Sequence, residues 1–485
     1  MQFKFDTSDF MQAYENRSVS HEQLKNCGFI EAEIEELTEK GLLREEAEHS
    51  YSLRFVGVMI PREPSQNTGI LAIPKYLEKS DWSSEKIQNH LGLILRSLYF
   101  YRFHSKSRKV EDDDDVMIPS PAQMGQGNPM ALSKFFIDDY MSFGIYRRRT
   151  VEITKGEVGR IDWSRTIQKC VPIVTRAGPI YTDVIRRRRR VIEHDLITNF
   201  HRYMVENSIR QFGRILGFKI DKRISGNIAN REMIERDIEK GEQSQIWHNL
   251  RKEMRSTFGG RDIKLLRNLM NVIKPTFAGS SDVIVMGTRK FENLWEDALR
   301  GYIDRLKTTE KMNKKVKRAD WRDKKHKLID GAPTGSFISD TIARISKEEK
   351  RWLVVDAKHY DLQFLKDPPR IEGKGPGIGD ILKQWAYEKI LRKEDSDAPI
   401  LNLLVFPKIE EGTEGNVIVP FGSVGLPDLD ADSRIINCFA DPEIIMKNYI
   451  TSHSASEDEL NRLFDVGTVM KNAAIAACRA GSSEI

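Results

Sequence analysis

The sequence predicts a multidomain α+β protein whose carboxy-terminal half is an α/β domain, a mixed central sheet flanked by helices. The chain has 485 residues, more than one hydrophobic core organises, which implies two or three domains of roughly 100–200 residues each. Between residues 286 and 425, apolar runs of strand length alternate with longer segments of helical period. Composition limits the alternatives: 39% of residues are hydrophobic, 31% are charged, and the chain has 32 Gly and 18 Pro, which excludes a disordered or fibrous chain.

Taken in order, residues 1 to about 50 read as helical. Ile30, Ile34, Leu37 and Leu42 stand near helical spacing, and Gly41 is a stop. Tyr51 to Ile60 and Gly69 to Ile73 read as strands bounded by Pro, Asn, Ser or Gly, and Trp82 to Phe103 as a helix. Ser105 to Asn128, with the acidic run Glu111 to Asp115, reads as a solvated loop, since it lacks the interposed ligands and Gly turn of a calcium loop. Strand-like pieces surround Gly159 to Trp163, and a helical pattern runs from about Glu193 to Leu216. The five arginines Arg186 to Arg190 alternate faces if they lie on a strand, where they either meet DNA or an acidic partner, or guard an exposed edge. The boundaries that follow are a helical and small β region at 1–110, a linker at 111–130, a mixed strand and helical region at 131–285, an α/β domain at 286–425 and a helical extension at 426–485.

Cys27, Cys170, Cys438 and Cys478 stand far apart with no Cys-x-x-Cys pair, against both a disulfide framework and a structural zinc site. The first residues carry no signal-peptide pattern, and no apolar run approaches the roughly 20 residues that cross a bilayer. A cytoplasmic protein without a membrane role is expected. Net charge is +5, but Arg300 to Lys327 holds 12 Lys and Arg against 4 Asp and Glu. Lys314, Lys315, Lys317, Arg318, Arg322, Lys324 and Lys325 are therefore candidate phosphate contacts; a solvated helix face is the alternative.

The chemistry concentrates further on. Trp352 to Val355 is an apolar strand core that ends in Asp356-Ala357-Lys358. Side chains alternate along a strand, so Asp356 and Lys358 share a face, their Cα atoms about 6.5–7 Å apart. Upstream, Asp340 sits where a second strand would pair with the first through a turn at Lys347 to Lys350, with Asp330 as its competitor. Phe291, Leu294, Trp295, Ala298, Leu299 and Tyr302 trace an apolar helix face bordered by Glu296. Downstream, a Gly-rich turn leads through Asp380, a potential N-cap, into a helix that carries Gln384 and Tyr387, and Leu401 to Phe406 supplies another buried strand.

This order, a helix with Glu, a strand with Asp, a strand with Asp-x-Lys and a helix with Gln, resembles the PD-(D/E)xK nuclease superfamily, with Ser339 standing where the family has its Pro. The wider set of IPKYL at Ile73 to Leu77, GRIDWSRTI at Gly159 to Ile167, GTRKFENLWEDAL at Gly287 to Leu299, VVDAKHYD at Val354 to Asp361 and GDILKQWAYE at Gly379 to Glu388 looks like the LlaJI-type restriction endonucleases, relatives of McrC. The resemblance spans roughly Tyr51 to Phe421. It implies a double-stranded DNA endonuclease of an anti-phage restriction system that works with a GTP-hydrolysing, McrB-like AAA+ partner and is accompanied by DNA methyltransferases. It further implies Glu296, Asp340 and Asp356 as ligands of Mg²⁺ or Mn²⁺, Lys358 as the residue that positions or deprotonates the attacking water, Gln384 as an orienting residue and Tyr387 as its support. Two or three carboxylates suit such hard cations. The chain itself has no G-x-x-x-x-G-K-[ST] loop, so no bound nucleotide is expected. The alternatives are a non-catalytic adaptor that activates a partner NTPase while its basic segment holds DNA, and a transposition or repair nuclease of the same fold.

Overall fold

A computed structural model describes residues 10–481 apart from 62–68, 79, 105–115, 118–128, 156, 192–194, 217, 219–227, 229–230, 275–282, 317–323, 325, 328–338, 361–362, 367–368, 373–374, 409–415, 427–428 and 431–432. The fold is mixed α+β and divides into two compact units. The larger comprises Thr7–Ile118 and Asp282–Ile485, and the smaller Pro119–Arg214 and Phe218–Ser281.

The larger unit contains two five-stranded sheets. The first is made of Met11–Tyr14 (β1), Val56–Ile60 (β2), Ile70–Ile73 (β3), Val116–Met117 (β4) and Ile284–Thr288 (β5), in the order β1-β3-β2-β5-β4. The expected independent domain over 1–110 is therefore corrected: β2 completes its hydrogen bonding with β5, which follows the smaller unit in sequence. That pairing brings backbone unusually close to backbone. Gly57 and Gly287 face each other across the two strands at φ +151° and +157°, and a Cβ at Gly287 would stand 2.1 Å from the Val56 carbonyl oxygen, a position open only to glycine.

Within the first 50 residues the helical expectation is only partly met. Two short helices, His21–Asn26 and Glu31–Glu39, sit beside a three-stranded sheet built from Ser18–Ser20, Leu43–Ala47 and Ser50–Leu53. Leu43–Ala47 reads LREEA and exposes four of its five residues; its charged edge mimics helix composition while its backbone pairs with Ser50–Leu53. Trp82 to Phe103 is largely the helix Ser84–His104 (α1).

The second sheet contains Thr341–Arg344 (β6), Trp352–Ala357 (β7), Ile400–Pro407 (β8), Ile418–Val424 (β9) and Ile435–Ala440 (β10), in the order β6-β7-β8-β10-β9. β7, β8 and β10 run parallel, whereas β6 and β9 are antiparallel edges. The central strands β7 and β8 are buried along their whole length, the near-continuous apolar pattern of a sheet covered on both faces. Phe291–Ile303 (α2) packs against β6 and β7, Ile378–Glu394 (α3) against β7, β8 and β10, and Glu457–Gly481 (α4) against β8, β9 and β10. Residues 426–485 are thus more than a helical extension, because β10 lies between β8 and β9 and completes the sheet.

In the smaller unit, Arg149–Lys155, Ile185–Val191 and Arg160–Ile161 form a three-stranded sheet with the arginine strand at its centre, beside the two-stranded hairpin of Ile173–Thr175 and Gly178–Ile180. The unit's helices include Pro129–Phe143, Trp163–Lys169, Leu196–Leu216, Arg231–Lys240, Gln245–Ser256 and Gly260–Ile273. His201 is fully buried there and accepts the Tyr146 N–H at Nδ1 over 3.0 Å, while Arg148 bridges Glu253 and Asp195 at 2.7 and 3.1 Å. Burial, helped by the nearby Arg261 charge, pushes the His201 imidazole down to about 3.

Candidate active site

The β6–β7 hairpin positions the two aspartates. β6 pairs with β7 in the register Thr341↔Val355. One step further, Asp340 lies opposite Asp356, and directly opposed residues of an antiparallel pair point to the same face. Asp340 stands one residue before the strand, and its Oδ2 accepts the Ala357 backbone N–H at 3.3 Å. Asp356 is 9% exposed. Asp330, the competitor of Asp340, falls outside the described residues.

Lys358 continues the edge of the ladder by donating its N–H to the Val405 carbonyl at 2.9 Å. Its Nζ lies 2.8 Å from Asp356 Oδ2, so the same-face geometry expected of Asp-x-Lys is realised. Nζ also donates to Asp380 Oδ1 at 3.0 Å. Burial opposes the charge on Lys358, but Asp356 and then Asp380 outweigh it and hold the ammonium above its ordinary value. Burial likewise works to raise the Asp380 carboxyl, and the Lys358 hydrogen bond overrides it, holding Asp380 low.

Asp380 is the site residue that sequence reasoning missed. The N-cap of α3 is Gly377, not Asp380; Asp380 occupies the third helical position and accepts the Gly377 N–H at 3.1 Å in a capping box. One carboxylate thus starts the helix and anchors the lysine. The available signal was the Gly-x-x-Asp spacing, in which the acidic residue three positions on reaches back to the cap.

α3 and α2 bring the remaining predicted residues to the same place. Tyr387 is 7% exposed, and its hydroxyl is pushed up by burial first, then by the charges of Asp340 and Asp356, with Lys358 opposing and Glu296 adding. Asp340, Asp356, Lys358 and Glu296 thus all act electrostatically on Tyr387, and Gln384 lies one helical turn before it on α3. Gln384 is 0% exposed, and neither its Oε1 nor its Nε2 has a hydrogen-bond partner. Asn402 on β8 donates to the Gln384 backbone carbonyl at 2.9 Å and leaves its own Oδ1 unpaired. Two neighbouring buried amides thus have polar atoms without a protein partner. Arg300 on α2 is ion-paired with Asp297; burial works to lower its pKa, but Asp297 first and then the Asp340 charge hold it above its ordinary value.

The donor set suits a hard cation. Mg²⁺ is commonly held by one or two carboxylates, with waters and substrate phosphates completing its shell, and the Asp340 and Asp356 carboxylates sit across one strand pair. Among the described residues, no three His, Cys, Asp or Glu side chains form a metal-binding group. Glu296 is half-buried on α2.

Among the expected phosphate contacts, Lys315 is ion-paired with Glu394 at 2.8 Å. Lys314 and Lys324 are exposed, and Lys317, Arg318, Arg322 and Lys325 fall outside the described residues. The smaller unit holds a second, longer basic stretch. From Arg147 to Arg190 there are 13 Lys and Arg against 4 Asp and Glu, and the exposed side chains of Arg147, Arg160, Arg176 and Arg188 make no hydrogen bond or ion pair among the described residues. Beside them Val171 and Val174 are 88% and 82% exposed, and Trp163, Ile167 and Ile173 are exposed by more than half.

A model of the LlaJI restriction endonuclease family matches residues 55–440. The chain belongs to the LlaJI restriction endonuclease family. A Bacillus subtilis (strain 168) relative, "Type II restriction enzyme BsuMI component YdjA", is 25% identical over 441 residues, which is 87% of this chain and 86% of the relative. Among solved structures, McrC bound to Thermococcus gammatolerans McrB AAA+ hexamers is 12% identical at a TM-score of 0.34, covering 94% of this chain and 100% of that one. The McrBC complex of the same organism gives 11% identity and a TM-score of 0.26, covering 59% of this chain and 85% of that one. At these TM-scores neither likeness carries an argument about this chain. No described helix is long and apolar enough to cross a membrane.

Proposed function

We propose that this member of the restriction endonuclease family is a Mg²⁺-dependent nuclease subunit that cuts double-stranded DNA through a PD-(D/E)xK site in its second sheet. The observation that carries this reading is the placement of Asp340 and Asp356 across adjacent strands, with Lys358 on the same buried face. Asp340 and Asp356 would hold the cation, with Glu296 behind them, and the bound ion would supply positive charge to the oxygens of the scissile phosphate. Lys358, kept cationic by two carboxylates, acts as a fixed positive charge near the developing negative charge rather than as a proton acceptor. Gln384 offers an unpaired donor and acceptor to orient water or phosphate, and Tyr387 packs in the apolar cluster of Ile342, Val354 and Leu391.

The smaller unit is assigned to docking on a GTP-hydrolysing AAA+ partner. Its exposed valines and isoleucines form the kind of surface that a protein partner covers, and the chain has no phosphate-binding loop of its own. A second reading, the non-catalytic adaptor, is favoured by the absence of an assembled group of three metal ligands among the described residues. Plasmid cleavage by the chain with its AAA+ partner, GTP and Mg²⁺ separates the two. The nuclease reading expects Asp356→Ala and Lys358→Ala each to abolish cleavage while partner binding persists; full cleavage by either variant refutes it.

A further inference from the structure

His359 follows the proposed catalytic lysine, and strand alternation turns it away from the cleavage face. It is buried, and its Nε2 lies 2.7 Å from Oε2 of Glu15, an equally buried residue at the end of β1 and 344 positions away in sequence. A carboxylate only accepts, so Nε2 carries the proton, and Nδ1 is left without a partner. Glu15 is itself fixed: its N–H donates to the Ile73 carbonyl at 2.8 Å, and its side chain accepts from the Lys75 backbone. Burial works to raise the Glu15 carboxyl, but His359 outweighs it and holds it low.

Aromatic rings enclose the pair. Phe291, the first residue of α2, lies 4.7 Å from the His359 ring, and Tyr76 meets that ring edge-on at 6.0 Å. Tyr76 in turn hydrogen-bonds His90 on α1 at 2.7 Å. Glu292 faces the same group with its carboxyl raised by burial, opposed by His359 and Lys75. β1 belongs to the first sheet and β7 to the second, so the Glu15–His359 bond ties the two sheets together next to Lys358. None of the roles assigned above uses it.

We infer that Glu15, acting through His359, is a positioning residue for Lys358, fixing the end of β7 against the first sheet. The inference rests on the nuclease reading. Without this bond the polar contacts that remain to the segment after Ala357 among the described residues are the Lys358 ladder hydrogen bond and its two carboxylate pairs, and a displacement of about 1 Å at a reacting group can cost on the order of 100-fold in rate.

The test is plasmid cleavage by the full chain with its AAA+ partner, GTP and Mg²⁺, together with a stability measurement on each variant. Glu15→Ala is expected to lower kcat by about 10- to 100-fold with KM for DNA unchanged, and Glu15→Gln, which still accepts the His359 hydrogen bond, to restore most of the rate. Because Glu15→Ala also leaves a buried imidazole unpaired, the double variant Glu15→Leu with His359→Phe supplies the control, since an apolar pair of similar volume keeps the fold stable. If positioning is the role, the double variant keeps native stability and stays slow. Wild-type kcat in that stable variant, or in Glu15→Ala, overturns the inference while Lys358→Ala remains inactive. Cleavage by Lys358→Ala would instead remove the nuclease reading and this inference with it.

Discussion

Replacing Asp380 tests the electrostatics of the site without touching the proposed metal ligands. Asp380→Ala removes two contacts: the capping-box bond from Gly377 N–H at 3.1 Å, and the ion pair with Lys358 at 3.0 Å, in which the side chains are 21% and 16% exposed. A helix cap contributes about 1 kcal/mol, and a hydrogen bond to a charged group about 1.5–3 kcal/mol. Because Asp356 remains 2.8 Å from Nζ, Lys358 does not become an isolated buried charge, whose cost would reach about 3–5 kcal/mol. The expected loss is therefore about 2.5–4 kcal/mol in urea unfolding of the larger unit's transition. Asp380→Asn keeps a cap acceptor and should lose less. The Asp380 carboxyl is held low in the folded state, so its contribution is fully present above the unfolded Asp value of about 3.9 and disappears as pH falls through the folded value. The gap between wild type and Asp380→Ala should accordingly close in acid. Equal stabilities at pH 7, or a gap that persists undiminished at the lowest pH where the protein folds, would refute this reasoning.

Three further outcomes follow from the same structure. Gln384→Leu removes a buried amide that has no partner, so stability should hold or rise by about 1–2 kcal/mol while cleavage falls; a destabilised variant in a denaturant titration would mean that the amide is satisfied. Gly287→Ala places a Cβ about 2 Å from the Val56 carbonyl and should destabilise the larger unit by more than about 3 kcal/mol, read as a fall in its melting temperature; a native melting temperature would show that the two strands can separate locally. His201, pushed to about 3 by burial, and His90, pushed to about 4, stabilise their units only while neutral. Each contribution is complete above the unfolded value of about 6.5 and declines as pH falls below it, by about 2 kcal/mol at pH 5, so His201→Phe should flatten the acid limb of the smaller unit's stability curve.

Much of the second sheet was legible because its chemistry is local. Trp352 to Val355 is continuously apolar and ends in a charged pair at the two-residue repeat, which places Asp356 and Lys358 on one face without knowledge of any neighbour. The hairpin to Asp340 needed only a short turn, and the apolar face of Phe291 to Tyr302 announced its helix. What escaped was long-range or dual in role. Gly57 pairs with Gly287 across the whole smaller unit, so no local pattern could assign residues 1–110 to the same unit as the carboxy-terminal half. Leu43–Ala47 is a strand of helix-forming residues, chosen by pairing rather than by propensity. Asp380 looked like a cap because it is part of one, and its second role depends on Lys358 reaching across from β7. Glu15 carries no signal of its own; only the folded chain sets it against His359.

The central claim is that Asp340 and Asp356 grip a divalent cation beside Lys358. The most direct measurement is an anomalous difference map from crystals soaked in Mn²⁺, with Asp356→Ala as the control. The account predicts a peak between the Asp340 and Asp356 carboxylates that vanishes in the control. A peak elsewhere, or no peak there at saturating Mn²⁺ with bound DNA, would contradict it.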